Sequence, residues 1–487
     1  MACVTPVRRV SGRTVTTLEG VPEADRRRWA DAFVAAGASQ CGFCTPGIVM
    51  RLAALSGRHS AVDDTAIETA LLAHLCRCTG WQSIIDAARV VLDADGAAPP
   101  DRATARTSSG AAPWSAEAAA RRATIEGGSR QRVGPEVALG HGGFADDTAP
   151  AGSLVAVPRA DGGWAVADSL GEARALAGKV QGRNSTVGLR HPLDPPPGTW
   201  VLRLQTTFVE PAYLEPDASW CAPGGEPSSP VANGGAFGGK RASPVAEVAR
   251  RLADEHGRPV RVVFAREDVV RLGPKRPPVA AGLRQDGTGV VHVARTPGSA
   301  ALSAWSAALH RTAPGLVVHE VTIPGPPVSA TLRGAGWVEG AVLVAGLAVM
   351  TEGTLGPGCT CRIESPHGGR ATATIGGDGR LAVWVDAGEV LDEVVLRSYC
   401  VGAAHQALGW VRSEGLAVGE DGSVLDLTIR SFGVLAARAM PSVSVEVEPS
   451  RRPAVNGSDA VFAAVAAAAW VAAGCPDQWP IERGGTS

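Results

Sequence analysis

Four cysteines in two close pairs, Cys41-Gly-Phe-Cys44 and Cys76-Arg-Cys78, constrain this chain more than any other feature of its sequence. Thiolates that close together can face one metal centre, and two such pairs supply the four ligands of either a tetrahedral zinc ion or the two irons of a [2Fe-2S] cluster. Structural zinc favours wider pairs of the C-x2–4-C kind, so the C-x-C pair points to iron–sulfur, with zinc as the alternative. The chain has ten cysteines, and their uneven clustering argues for metal or cofactor chemistry over a disulfide framework.

The residues around the pairs read as helix. Trp29 and Phe33 lie one turn apart before a stop at Gly37, and Thr45-Pro46 opens a second helix carrying Ile48, Val49 and Leu52. Asp63-Asp64 opens a third with Ile67 and Leu71, and Thr79 is expected to cap a fourth with Ile84, Ile85 and Val91. Four short helices predict a compact bundle whose loops carry the cysteines. Residues 95–128 are rich in Ala, Pro, Ser, Thr and Arg without a sustained apolar period and read as a linker. Beyond them, β-rich runs (Trp200 to Leu204, Val260 to Phe264, Ala382 to Val385) mix with Ala-rich helical ones (Ser243 to Glu255, Ala460 to Ala473). The expectation is an α+β multidomain chain, a four-helix bundle followed by an α/β region.

Composition narrows the function. With 46 Lys and Arg against 48 Asp and Glu, the net charge of −2 provides no basic field for nucleic acid. Ala460 to Ala473 is too short for a membrane span and reads as a buried helix. The start, MACVTPVRRV, lacks the apolar core of a signal peptide, so the expected location is cytoplasmic. The isolated His74, His141, His191 and His405 read as structural, and Cys359-Thr-Cys361 has no partner pair and is assigned no site.

CGFCTPGIVMRLAAL followed by HLCRCTGWQSIIDAA resembles the second iron–sulfur domain of the molybdenum hydroxylases, the xanthine dehydrogenase, aldehyde oxidase and carbon monoxide dehydrogenase family. The resemblance implies that Cys41, Cys44, Cys76 and Cys78 ligate a [2Fe-2S] cluster that carries electrons away from molybdenum. The segment ACVTPVRRVSGRTVTTLEGV resembles the closing strand of the ferredoxin domain that precedes the bundle in the family, with Cys3 at a ligand position. The domains then run 1–20 as a ferredoxin-like remnant, 21–94 as the cluster bundle, 95–128 as linker and 129–487 as a shortened molybdopterin-binding region.

That last region carries the family's pieces in order. TFVEPAYLEPDASW, the loop Gly234 to Arg241 and HGRPVRVVFARED follow one another, then TLRGAGWVEG. The loop also invites comparison with a phosphate-binding G-x4-G-K-[ST] turn, but Arg241 stands where that turn needs a hydroxyl. The resemblance implies a molybdopterin cofactor held by Gly235, Phe237, Gly238, Gly239, Arg333, Gly334 and Gly336. Large blocks of the family's molybdopterin-binding region are missing. Where the family carries a glutamate general base this chain has Ser458, which cannot serve as one near neutral pH, with Asp459 adjacent. Arg241 also replaces a glutamate of purine-oxidising relatives, which argues against xanthine. The expected function is an oxidoreductase of the molybdenum hydroxylase type, acting on a small organic substrate and passing electrons through the cluster to a separate flavoprotein or other acceptor. The alternatives are a non-catalytic electron-transfer or assembly subunit, and a zinc-stabilised binding module.

Overall fold

The computed structural model describes residues 6–56, 62–92, 114–178, 180, 182–183, 188–231, 236–299, 303–353 and 355–483. Its first unit comprises α1 (Val7–Val10), α2 (Glu23–Ala36), α3 (Thr45–Ala53), α4 (Asp64–Leu71) and α5 (Gln82–Leu92). Helix α2 stops at Gly37, whose φ of 65° places it in the left-handed region that glycine enters at little cost. Helix α4 starts at Asp63, whose carboxylate accepts the Ala66 N–H. Trp29, Phe33, Ile48, Leu52, Ile67, Leu71 and Ile84 close one core, each buried and each contributing about 1.5–3 kcal/mol by leaving water.

Three expectations are corrected. Thr79 does not cap α5, which begins at Gln82 after two left-handed residues, Gly80 and Trp81; its hydroxyl accepts the Trp81 N–H, short of the helix, and lies against Cys76 Sγ. Residues 7–10 form one exposed helical turn, not a strand, for no strand among the described residues lies beside them to pair with. Cys3 lies outside the described residues. The stretch read as a linker ends in a regular helix, α6 (Ala116–Gly127), capped by Ser115, which accepts the Ala118 N–H.

Three four-stranded sheets follow. In the first, β1 (Leu154–Pro158) lies between antiparallel β2 (Trp164–Ala167) and parallel β5 (Val260–Val263), with β4 (Ala218–Cys221) outside β5. Helices α8 (Leu170–Ala177) and α9 (Val245–His256) cover it, and a one-turn helix, α7 (Pro135–Ala138), leads in. The second runs β3 (Leu202–Gln205), β6 (Val279–Leu283), β7 (Gly289–Arg295) and β8 (Leu316–Thr322), with α10 (Arg266–Leu272) preceding β6. Helices α11 (Ser303–Thr312) and α12 (Trp337–Glu352) pack together beside it. The third runs β9 (Thr360–Glu364), β10 (Arg370–Ile375), β11 (Leu381–Asp386) and β12 (Val443–Val447), the last pair parallel.

Helices α13 (Glu393–Arg412) and α14 (Ser458–Ala472) are the centre of the molecule. The alanine run of α14 is buried, as its composition predicts, and its small side chains let α13, α12 and β10 approach closely. Trp410 of α13 stacks on Phe462 of α14 with ring centroids 5.5 Å apart, and Trp479 meets the same indole edge-on at 4.8 Å. His405 is structural. Its Nε2 lies 3.0 Å from the Leu435 carbonyl, and burial pushes its pKa down to about 4. No helix among the described residues is long and apolar enough to cross a membrane.

Candidate metal centre

The two cysteine loops leave the ends of α2 and α4 and meet. Sγ of Cys78 lies 3.6 Å from Sγ of Cys41, and Cys44 is hydrogen-bonded to Cys76. Cys76 is wholly buried, and its bonds from Cys44 and from the Thr79 hydroxyl at 3.1 Å favour the thiolate, bringing its pKa down to about 6. All four are free cysteines. They stand as two pairs and together supply the four thiolates that a [2Fe-2S] cluster takes.

The second loop is held between the first loop and the α/β region. Gln40 Nε2 donates to the Cys78 carbonyl and to Ser398 Oγ, both at 3.0 Å, and Ser398 donates to the Gly37 carbonyl at 2.6 Å. Arg77, between the two ligand positions, makes a bidentate pair with Glu414 at 2.5 and 2.6 Å and donates from Nε to the Pro211 carbonyl. Both charged groups are buried, at 5% and 1% side-chain exposure, so each depends on the other for solvation. Gln406 Nε2 donates to the Arg77 carbonyl at 3.0 Å. Sequence reasoning missed Arg77, Glu414, Gln406 and Gly402, whose partners are all distant in the chain.

Gly402 lies mid-helix in α13, where glycine costs about 1 kcal/mol relative to alanine. Its reason is contact: a Cβ there would stand 1.7 Å from the Cys78 carbonyl oxygen. Gly402→Ala must therefore push the cysteine loop off α13, costing about 1–3 kcal/mol by overpacking. The expected result is a lower melting temperature and faster loss of iron to a chelator. Gly377→Ala, with nothing within 4 Å of its new methyl, is the control. Equal iron-loss rates for both variants would contradict this account of the contact.

The residues expected to hold molybdopterin are gathered only in part. Phe237, itself left-handed at φ 58°, accepts the Arg333 N–H at 2.8 Å, and the Arg333 guanidinium lies 5.5 Å from its ring. The same guanidinium donates to Ser458 Oγ at 2.7 Å, Asp459 Oδ1 at 2.9 Å and Gln406 Oε1 at 3.0 Å. Thus Phe237, Arg333, Ser458 and Asp459 do meet, and Gln406 links them to the cysteine loop. The glycines do other work. A Cβ on Gly238 would strike the Thr331 carbonyl at 1.8 Å, one on Gly239 the Tyr213 ring at 2.8 Å, one on Gly334 the Val338 side chain, and one on Gly336 the Trp305 carbonyl. Gly235 lies outside the described residues.

Cavities of about 40 Å³ and about 50 Å³ flank Phe237. They have room for a few waters at most, far below the about 300–1,000 Å³ of ligand pockets. Among the described residues, protein atoms lie close to Gly238, Gly239, Gly334 and Gly336, and the Arg333 donors are engaged by Ser458, Asp459 and Gln406.

The family model of the [2Fe-2S] binding domain matches residues 17–89. Over 89 residues the chain is 44% identical to xanthine dehydrogenase of Emericella nidulans, a match covering 18% of this chain and 6% of that protein. It is 38% identical over 87 residues to a probable xanthine dehydrogenase subunit of Bacillus subtilis, covering 18% of this chain and 50% of that one. Residues 17–89 thus carry the [2Fe-2S] binding domain, and the chain is similar in sequence to xanthine dehydrogenases and aldehyde oxidases. These matches cover half or less of each relative's length. For the rest, the likeness is one of fold: the aldehyde oxidoreductase of Desulfovibrio gigas matches with TM-score 0.62 over 96% of this chain and 90% of that one, at 14% identity. That of Desulfovibrio desulfuricans matches with TM-score 0.61 at 13% identity, over 93% of this chain and 89% of that one.

Proposed function

We propose that this chain is an iron–sulfur electron-transfer component of a molybdenum hydroxylase-type oxidoreductase, in which Cys41, Cys44, Cys76 and Cys78 ligate one [2Fe-2S] cluster. The observation that carries it is the pairing of the four thiols, Cys41 with Cys78 and Cys44 with Cys76. The cluster supplies one-electron redox chemistry when bound. The protein's own residues bury Cys76 and half-bury Cys41, Cys44 and Cys78, direct the Thr79 hydroxyl at one sulfur, and seat the cysteine loop through Arg77, Gln40 and Gly402 against α13. The external acceptor we propose is a separate flavoprotein.

Hydroxylation by this chain's own residues is the less supported reading. Ser458 is fully buried and accepts from Arg333, and Asp459, one residue on, is paired with the same guanidinium. Neither stands free to take a proton from a nucleophile. The small organic substrate implied by the family has no cavity of its size beside Phe237. Metal analysis tests both halves. The expected result is two irons per chain without stoichiometric molybdenum, and no turnover of aldehydes or N-heterocycles with an artificial acceptor. Robust turnover abolished by Asp459→Asn would overturn this reading and make Asp459 the base.

A further inference from the structure

The about 50 Å³ cavity has two unlike walls. Cys41, Cys44 and Cys78 line one side, and Tyr213, Glu215 and Lys240 the other. Lys240, at 1% side-chain exposure, is bonded to Glu215 at 2.5 Å, and Glu215 keeps a 12% opening to solvent. We propose that Glu215, held by Lys240, is a proton-binding site coupled to reduction of the cluster, taking up one proton as one electron arrives. This rests on the [2Fe-2S] reading above.

The charges around Glu215 support it. Burial pushes its carboxyl up to about 7; Lys240 opposes this, while Asp217 and Asp147 add to it. Tyr213 donates to Asp217 Oδ1 at 2.7 Å, and Asp217 Oδ2 is buried without a partner, so that charge stays close and poorly screened. The remaining cations nearby are already placed: Lys275 pairs with Glu210 at 2.9 Å, and Arg266 donates to the Leu214 carbonyl at 2.6 Å and lies 5.9 Å from the Tyr213 ring. Among the cavity's other lining groups, Arg77 is neutralised by Glu414. Glu215 is thus the group poised to change charge near neutral pH. An electron added across a small cavity makes the surroundings of Glu215 more negative and raises its affinity for a proton.

The step balances. A one-electron donor such as dithionite reduces the oxidised cluster by one electron, a solvent proton binds a Glu215 oxygen, and the Lys240 ammonium stays protonated. Linkage gives the sign: the midpoint potential falls as pH rises through the window around 7 where the reduced state binds more protons than the oxidised. A tenfold drop in proton concentration lowers it by up to about 59 mV, the one-electron conversion.

The experiment is a dithionite titration of the full chain from pH 6 to 8.5, followed by visible bleaching and electron paramagnetic resonance. The expected result is a sloping potential in the wild type and a flat one in Glu215→Gln. Redox-difference infrared spectra should show a protonated-carboxyl band on reduction that the variant loses. A pH-independent wild-type potential with an intact cluster, or a slope unchanged in Glu215→Gln, overturns the proposal. Protein with neither iron nor colour overturns the cluster reading, and this proposal with it.

Discussion

Cys76→Ser is expected to yield a colourless protein that retains almost no iron. Cys76 is the most buried of the four cysteines, and the Thr79 hydroxyl lies 3.1 Å from its sulfur. A serine hydroxyl is a far poorer metal ligand than a thiolate at neutral pH, and three thiolates leave one iron with an incomplete shell. The loss reaches beyond colour. Binding energy at a structural metal site is folding energy, so the bundle should melt at a markedly lower temperature, and Glu414 and Gln406 should lose the loop that they clamp through Arg77. Iron assay, visible absorption and thermal circular dichroism check this together. Cys359→Ser, altering the cysteine pair assigned no site, should keep iron and colour. Unchanged iron in Cys76→Ser would remove the basis for the cluster assignment.

What could be read from the sequence is what local chemistry encodes. The cysteine spacing, the Gly37 stop, the Asp63 cap and the apolar period of each bundle helix depend on neighbours a few residues away, and each appears in the fold. The buried alanine helix was legible because no exposed helix keeps that composition. Glycine loops were less informative, since a missing Cβ says that something comes close without saying what. At Gly238 it is the Thr331 carbonyl, and at Gly402 the Cys78 carbonyl. Helix α6 was invisible because its sequence, AEAAARRATIEG, has no apolar stripe. Its buried face consists of Ala119 and Ala123 with Arg122 and Glu126, two charged residues that pair with each other and whose remaining partners lie far along the chain. No window of the sequence contains those remaining partners.

Glu126→Ala is expected to destabilise the α/β region by about 3–5 kcal/mol, the range for removing one partner of a buried pair. Both side chains of the Arg122–Glu126 pair are fully buried, 3.0 Å apart. The Glu126 carboxylate also accepts the N–H groups of Gly457 at 3.1 Å and Ser458 at 2.8 Å, the opening turn of α14. An anion at a helix N-terminus satisfies donors that have no partner inside the helix and complements its dipole. Deleting it leaves those donors bare and strands the Arg122 charge among the carbonyls of Val390, Val455 and Glu389. Ser458 and Asp459, which begin α14, would then be free to move, releasing two of the three groups that hold Arg333. Glu126→Gln, which keeps one acceptor and loses the charge, should fall between wild type and alanine. The bundle has its own core, so the colour of the cluster should outlast the first unfolding transition in Glu126→Ala. Chemical denaturation followed by tryptophan fluorescence, beside visible absorption at each step, separates the two events. A shift under about 0.5 kcal/mol, the size of an ordinary surface substitution, would mean that α14 does not depend on its cap from α6.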